Sequence, residues 1–161
     1  PPTALVEDLM NRRGRRFRRG PIRGALTFAG FIQVGERRYA WVRETAAPEL
    51  LDADAASLSR ILGAVASVAR IALLRELFGR DRSSTELGAA LGDVSPGHTY
   101  HHLKELQAAG ILVQVSRGLY RIAPPALIPV AIILAAAADI AGLRPGAEVE
   151  PFPVHPQAES V

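Results

Sequence analysis

Two short helices separated by only a tight turn are the feature of this sequence that most constrains its fold. Ser83 and Glu86 have the spacing of a capping box at the start of the first helix, and Gly92 favours its end. A Ser-Pro pair at residues 95–96 favours the start of the second helix, because serine is a good N-cap and proline fits the first turn. This second helix is predicted to stop at Gly110. With so few residues between them, the two helices must cross closely.

The segments on either side of this pair complete a definite order of elements. Leucine and isoleucine recur at three- and four-residue spacing in residues 48–65, which predicts one helix. Ser67 is placed to cap a further helix that ends near Gly79. After the helix pair, residues 111–115 and 119–122 have strand patterns around a glycine-containing turn, which indicates a hairpin. The order is therefore helix, helix, short helix, turn, helix and hairpin.

This order is that of a winged helix-turn-helix domain, to which we assign residues 48–122. Within residues 57–122 the chain resembles the ArsR-type winged-helix regulators of bacteria. Three segments carry the resemblance: Arg70-Ile71-Ala72-Leu73-Leu74, Ser84-Thr85-Glu86-Leu87-Gly88-Ala89-Ala90-Leu91-Gly92, and His102-Leu103-Lys104-Glu105-Leu106-Gln107-Ala108-Ala109-Gly110-Ile111-Leu112-Val113. The resemblance implies a transcriptional regulator that binds double-stranded DNA as a homodimer. The helix that starts at the Ser-Pro pair of residues 95–96 would then be the recognition helix that enters the major groove.

A hairpin before this domain and an apolar helix after it are also predicted. Residues 24–43 contain two strand patterns around a Gly-Glu turn, and such a hairpin must pack on another surface to be stable. Residues 126–143 are apolar almost throughout, but the uncharged stretch is shorter than the ~20 residues that a bilayer requires. We interpret it as a dimerisation or core helix rather than a membrane span. The expected fold class is thus mainly α with small β: a winged helix-turn-helix preceded by a hairpin and followed by a dimerisation helix.

Positive charge is concentrated at the start of the chain. Residues 1–43 carry ten arginines against three acidic residues, a net charge of +7, whereas residues 44–122 and 123–161 carry −1 and −3. Such asymmetry favours a polyanionic partner, since arginines that neutralise phosphates release counterions. Residues 1–23 are predicted to be a flexible basic arm, and residues 144–161 a disordered tail. The arm supplies these candidate phosphate contacts: Arg12, Arg13, Arg15 and Arg16.

The recognition helix can be divided into two faces at 100° per residue. The face expected to pack on the other helices comprises Thr99, His102, Leu103 and Leu106. The candidate DNA-binding residues on the outer face are Gly97, His98, Tyr100, His101 and Lys104. Glycine permits close approach to the groove, and the remaining side chains offer donors and an aromatic ring to base edges and phosphates. Near the tip of the second hairpin, Arg117 and Arg121 are candidates for contacts with the minor groove or the backbone.

Other site chemistries are weighed against this interpretation. His98 and His101 have a spacing that could clamp a metal ion, but a chain with four histidines and no cysteine supplies few further ligands, so we expect no metal and no cofactor. Two alternatives stay open for the aromatic residues of the first hairpin and for the apolar helix. They either close a pocket for a small-molecule effector or enlarge the dimer interface. The residues concerned are Phe28, Phe31, Tyr39, Trp41, Ile132 and Ile133.

The expected function is sequence-specific DNA binding by a homodimeric repressor that occludes promoter DNA. The alternative is a winged-helix interaction module that binds RNA, an anionic membrane or a partner protein. An enzyme is not expected, because the sequence shows no Ser-His-Asp order, no phosphate-binding glycine loop and no paired carboxylates in a plausible pocket. Since no secretory signal pattern follows the basic residues, we expect a cytoplasmic protein.

Overall fold

A computed structural model describes residues 24–92 and 96–143 of the 161-residue chain, together with Ala4, residues 7–9 and Ile22. The predicted basic arm lies outside the described residues except for these few positions, and so do its candidates Arg12, Arg13, Arg15 and Arg16. The predicted tail, residues 144–161, also lies outside them.

The described chain consists of a β-hairpin, three helices, a two-residue strand, two further helices, a second hairpin and a last helix. In chain order, the elements are β1 (Ala25–Val34), β2 (Arg37–Ala46), α1 (Glu49–Asp52), α2 (Ala55–Val65), α3 (Val68–Gly79), β3 (Arg82–Ser83), α4 (Ser84–Leu91), α5 (Pro96–Ala108), β4 (Leu112–Ser116), β5 (Leu119–Ile122) and α6 (Pro124–Ile140).

The single helix predicted over residues 48–65 is wrong, because the chain forms two helices there. Ala53 has an extended backbone, with ψ of 136°, which ends α1. Asp54 then caps α2, since its carboxylate accepts a hydrogen bond of 2.9 Å from the Ser57 amide. Asp54 thus begins a new helix, because its carboxylate satisfies the Ser57 amide, and it does not continue α1.

Helices α3 to α5 and a three-stranded antiparallel sheet in the order β3-β5-β4 form a winged helix-turn-helix. The predicted capping box of α4 is confirmed: the Ser83 hydroxyl accepts from the Glu86 amide, and the Glu86 carboxylate accepts from the Ser83 amide. Gly92 ends α4 with φ of 67°, a conformation that residues other than glycine rarely adopt. The predicted cap of α3 is also confirmed, since the Ser67 hydroxyl accepts from the Arg70 amide.

The side chain of Arg70 joins α2 to α3. Its guanidinium donates to the carbonyl oxygens of Ala64 at 2.5 Å and Gly63 at 3.0 Å, which lie in the last turn of α2. The last carbonyls of a helix have no partner within the helix, and a cation is favourable near them because of the helix dipole. Arg70, the first residue of the segments that resemble the ArsR-type regulators, therefore has a structural role here.

Helix α6 packs on the first hairpin at Gly30. A Cβ atom on Gly30 would lie 2.5 Å from Cγ2 of Ile128, so the absence of a side chain permits this contact. Helix α6 begins two residues before the predicted 126–143 and ends three residues before its end, because Gly142 takes a left-handed φ of 67°. None of the helices in the described part of the chain has the length and apolar character that crossing a bilayer requires.

Candidate nucleic-acid interface

Helix α5 is held against the domain by a buried inner face and by one close approach to α4. Leu103 and Leu106 have no solvent exposure, and Thr99 is 2% exposed. A Cβ atom on Gly88 of α4 would lie 3.3 Å from the Thr99 hydroxyl, so α4 and α5 come close together near this pair. The inner face predicted for this helix is confirmed. The buried residues therefore establish which side of α5 faces away from the core.

The opposite face of α5 is open to solvent. The exposed residues include all five candidates predicted on this helix: Gly97, His98, Tyr100, His101 and Lys104. The Lys104 ammonium lies 5.3 Å from the centre of the Tyr100 ring, which is within the range of a cation–π interaction. One turn of the helix separates these two residues, so the pair presents a positive charge and an aromatic surface side by side.

Three histidine rings adjoin each other on α5, and they differ in exposure. His102 is only 9% exposed, as expected for an inner-face residue. Its ring centre lies 4.6 Å from that of His98 in an edge-on arrangement and 5.8 Å from that of His101. The buried ring therefore contacts the two exposed rings from below. Among the side chains that the structure describes, no three histidine, aspartate or glutamate residues converge in a group that could hold a metal ion.

The second hairpin forms the wing, and its tip is tied to the start of α4. Arg117 is exposed in the turn between β4 and β5. The carbonyl of the next residue, Gly118, accepts a hydrogen bond of 2.9 Å from the Ser84 amide. Because Ser84 begins α4, this bond fixes the tip of the wing relative to the helix pair. The exposed Arg117 guanidinium thus extends from an anchored turn.

Arg121 does not flank the wing tip as the sequence interpretation supposed. Its Nε donates to Oδ1 of Asp81 at 2.9 Å, and its Nη2 donates to Oδ2 at 2.5 Å. This two-pronged ion pair commits the guanidinium to the base of the wing. The side chain of Arg121 thus links β5 to the residue before β3, and its contact with DNA stays a prediction.

Asp81 also binds the first hairpin, because Nη2 of Arg37 on β2 donates to its Oδ1 at 2.9 Å. Hydrogen bonding to Arg121, with a further contribution from Arg37, lowers the pKa of Asp81 from 3.8 to about 2, although partial burial opposes the shift. The carboxylate thus joins three segments that are distant in the sequence. Sequence reasoning missed Asp81 and Arg37, since no local pattern marks a pair 44 residues apart.

The cavity beside this ion-pair cluster is too small for an effector. Its volume is about 10 Å³, roughly the room that one water molecule requires. Its apolar walls include Val34, Tyr39, Leu77 and Leu127. Of the predicted pocket residues, only Tyr39 lies here.

The four aromatic residues of the first hairpin do not converge on one pocket. Side chains alternate between the two faces of a strand, and the pairing of β1 with β2 places Phe28, Tyr39 and Trp41 on the face that packs on α6. Phe31 points the other way and is 64% exposed. The four side chains therefore do not share one face of the hairpin, and their part in an effector pocket or in a dimer interface stays a prediction.

Helix α6 exposes Ile140 by 90% at its end, and its role in dimerisation stays a prediction. Ile132 and Ile133 are both partly buried, and Ile133 packs against the core. By contrast, α1 and α2 expose four leucines by 48 to 62%, which are Leu50, Leu51, Leu58 and Leu62. The leucine spacing in residues 48–65 predicts a helix, but it does not by itself indicate that these leucines are exposed.

No protein-family model and no curated protein matches the chain. A solved homodimeric winged helix-turn-helix DNA-binding domain from Mycobacterium bovis, a possible ArsR-family transcriptional regulator, is 21% identical; the match covers 63% of this chain and 93% of that one, with a TM-score of 0.49. NolR from Sinorhizobium fredii is 22% identical over 62% of this chain and 98% of its own, with a TM-score of 0.49. An ArsR-like transcriptional regulator from Rhodococcus sp. RHA1 is 29% identical over 59% and 96%, with a TM-score of 0.40. The structural neighbours of this chain thus include one described as a possible ArsR-family regulator and one described as ArsR-like.

Proposed function

We propose that this chain is a sequence-specific DNA-binding transcriptional regulator that acts as a homodimer, most simply a repressor that occludes promoter DNA. The observation that carries the proposal is the exposed face of α5, on which Tyr100, Lys104 and two histidines stand on a helix packed firmly from behind. A major groove about 12 Å wide admits one such helix. Steric exclusion of other proteins from the promoter then requires no catalytic step.

The chemistry of the outer face suits base edges and phosphates. Gly97 has no side chain, so the first turn of α5 can approach the groove floor closely. His98, His101 and Lys104 supply donors, and guanine presents two acceptors, N7 and O6, in the major groove. The Tyr100 ring, 52% exposed, provides an apolar surface for a thymine methyl group or a sugar.

The wing and the arm are proposed to add affinity without sequence information. Arg117 would contact a phosphate or the minor groove from the wing tip. The basic arm would lie along the phosphate backbone, which releases counterions and makes binding depend on salt concentration. Its proposed contacts are Arg12, Arg13, Arg15 and Arg16.

A homodimer is proposed because α1 and α2 leave a leucine surface uncovered in the single chain. Leu58 and Leu62 are one helical turn apart and are 48% and 51% exposed. Leu50 and Leu51 on α1 extend this surface at 49% and 62% exposure. Covering these side chains with those of a second copy would remove apolar area from water. Two recognition helices related by a two-fold axis would then read half-sites about one DNA turn apart.

The experiment that tests this function is an anisotropy titration of the protein with its own upstream intergenic DNA at near-physiological salt. A large excess of random duplex competes for electrostatic binding. We expect the complex to persist, with an affinity at least about 10³ times that for random DNA. Loss of all binding to the competitor at this locus and at operators selected elsewhere would overturn the proposal. It would then favour the alternative of a module for RNA, a membrane or a partner protein.

A further inference from the structure

The outer face of the first hairpin carries an apolar patch that nothing in the described structure covers. Four residues form this outer patch: Ala29, Phe31, Ala40 and Val42. Phe31 is 64% exposed and Val42 is 71% exposed, whereas the other face of the same two strands packs on α6. Exposed apolar side chains that adjoin each other in this way are typical of an interaction surface.

The strand register arranges large and small residues alternately within the outer patch. Phe31 lies directly opposite Ala40, and Val42 lies directly opposite Ala29. Each large side chain therefore has a small neighbour across the strands and another small neighbour two residues along its own strand. The two large side chains stand on one diagonal of the patch, and the two alanines stand on the other.

When two copies are related by a two-fold axis, the large side chains of one patch face the small side chains of the other. We propose that the outer patch docks on the same patch of a second copy of this chain, face to face. An axis that lies between the two hairpins, perpendicular to their strands and above the Gly30–Trp41 pair, exchanges positions 29 and 31 and positions 40 and 42. Phe31 then packs over the partner's Ala29, and Val42 packs over the partner's Ala40. Such an isologous contact is the commonest kind in protein dimers.

The charges on this face have the same symmetry. Arg38 and Glu44 lie on the outer face of β2, each three residues from Trp41 and therefore about 10 Å along the strand from the axis. The two-fold operation places Arg38 over the partner's Glu44 at both ends of the contact. Opposite charges thus meet, whereas the parallel arrangement of the two hairpins would place like charges together. This complementarity selects a second copy in one orientation.

The size of the face determines what it contributes. Two paired strands of ten residues measure roughly 33 Å by 10 Å, which gives about 300 Å² for each copy. A stable interface usually buries about 800 Å² per partner. The hairpin contact is therefore too small to hold a dimer alone, and in this proposal it acts together with the leucine surface of α1 and α2. The inference rests on the proposed self-association and does not depend on DNA binding.

Sedimentation equilibrium of the full chain tests the contact with a matched pair of variants. Val42→Glu places a charge within the outer patch, and we expect it to weaken self-association at least about tenfold. Val68→Glu is the control, because Val68 is 89% exposed at the start of α3, away from the patch. Equal association constants for both variants and the wild type would overturn the inference while leaving a homodimer in place. A wild type that stays monomeric would overturn the homodimer as well.

A third variant distinguishes the proposed two-fold packing from non-specific apolar association. Ala29→Leu adds apolar area to the patch, but it fills the space that the partner's Phe31 occupies in the proposed contact. We therefore expect weaker self-association than in the wild type. Stronger self-association would show that the patch buries apolar area without this geometry, and it would overturn the two-fold arrangement.

Discussion

The guanidinium of Arg121 binds the carboxylate of Asp81 through two parallel hydrogen bonds of 2.9 and 2.5 Å, and this pair connects β5 of the wing to the residue before β3. Arg37 of β2 binds the same carboxylate, so one acidic side chain holds two cations from different elements. The side chain of Asp81 is only 20% exposed, which strengthens these contacts relative to a pair in open solvent. The position of the wing is therefore coupled to the hairpin.

Removal of the Asp81 charge is expected to destabilise the folded chain and to change its pH dependence. Asp81→Asn leaves two partly buried cations without their partner, which should cost about 1–3 kcal/mol of unfolding free energy at pH 7. Because the folded pKa, about 2, lies below the unfolded value of 3.8, this stabilisation is present above pH 4 and is lost as the pH falls towards 2. Urea unfolding at pH 7, 4 and 2.5 measures both effects. Asp52→Asn, an exposed change on α1, is the control. An Asp81→Asn difference that does not shrink below pH 4 would contradict the assignment.

A methyl group at Gly30 should separate the hairpin from α6. Gly30→Ala places a carbon 2.5 Å from Ile128, and relief of this overlap should cost about 1–3 kcal/mol. Gly63→Ala is the matched control, since no atom lies within 4 Å of the new carbon, and alanine is favoured over glycine inside a helix. Thermal unfolding should therefore show a lower midpoint for the first variant and an unchanged or higher one for the second. Equal midpoints would mean that the hairpin does not pack on α6 as described.

Substitutions at two adjacent residues of α5 should distinguish a residue that stabilises the fold from one that binds DNA. Leu103 has no solvent exposure, so Leu103→Ala should lower the free energy of unfolding by about 2–5 kcal/mol. Lys104 is exposed, so Lys104→Ala should leave the melting temperature unchanged and weaken DNA binding. Melting curves and titrations of both variants are the measurement. Similar melting losses for the two would show that α5 presents a different face.

The two arginines of the wing should also respond differently. Arg117→Ala should reduce affinity for every DNA sequence and lower the slope of the salt dependence by about 1, without loss of stability. Arg121→Ala should lower the melting temperature, because Asp81 loses its two-pronged partner. Salt titrations and melting curves distinguish them. A stable Arg121→Ala protein with a reduced salt slope would instead identify Arg121 as a phosphate contact.

Features that are encoded by neighbouring residues could be predicted from the sequence. The Ser83–Glu86 capping box, the end of α4 at Gly92 and the two faces of α5 all depend on residues within a few positions of each other. The break between α1 and α2 has a local signal too, because Asp54 can cap a helix through Ser57. The apolar spacing of residues 48–65 is consistent with one continuous helix, and it therefore outweighs this local signal for a break.

Contacts between distant segments could not be predicted in this way. Asp81 is 40 residues from Arg121 and 44 from Arg37, and nothing near it in the sequence indicates which arginine it binds. The close approach of Gly30 to Ile128 depends on the docking of a helix nearly one hundred residues later. Strand parity alone, however, separates Phe31 from Trp41, so the division of the hairpin aromatics could have been inferred from the register.

Selection of binding sites from a pool of random duplexes tests the central claim, that the outer face of α5 reads DNA sequence in a homodimer. The account predicts enrichment of one motif with two inverted half-sites whose centres are 10–10.5 base pairs apart. Lys104→Ala should lose preference at defined positions of each half-site. A folded wild-type protein that enriches no motif, or a motif unchanged by Lys104→Ala, His98→Ala and His101→Ala together, would contradict it.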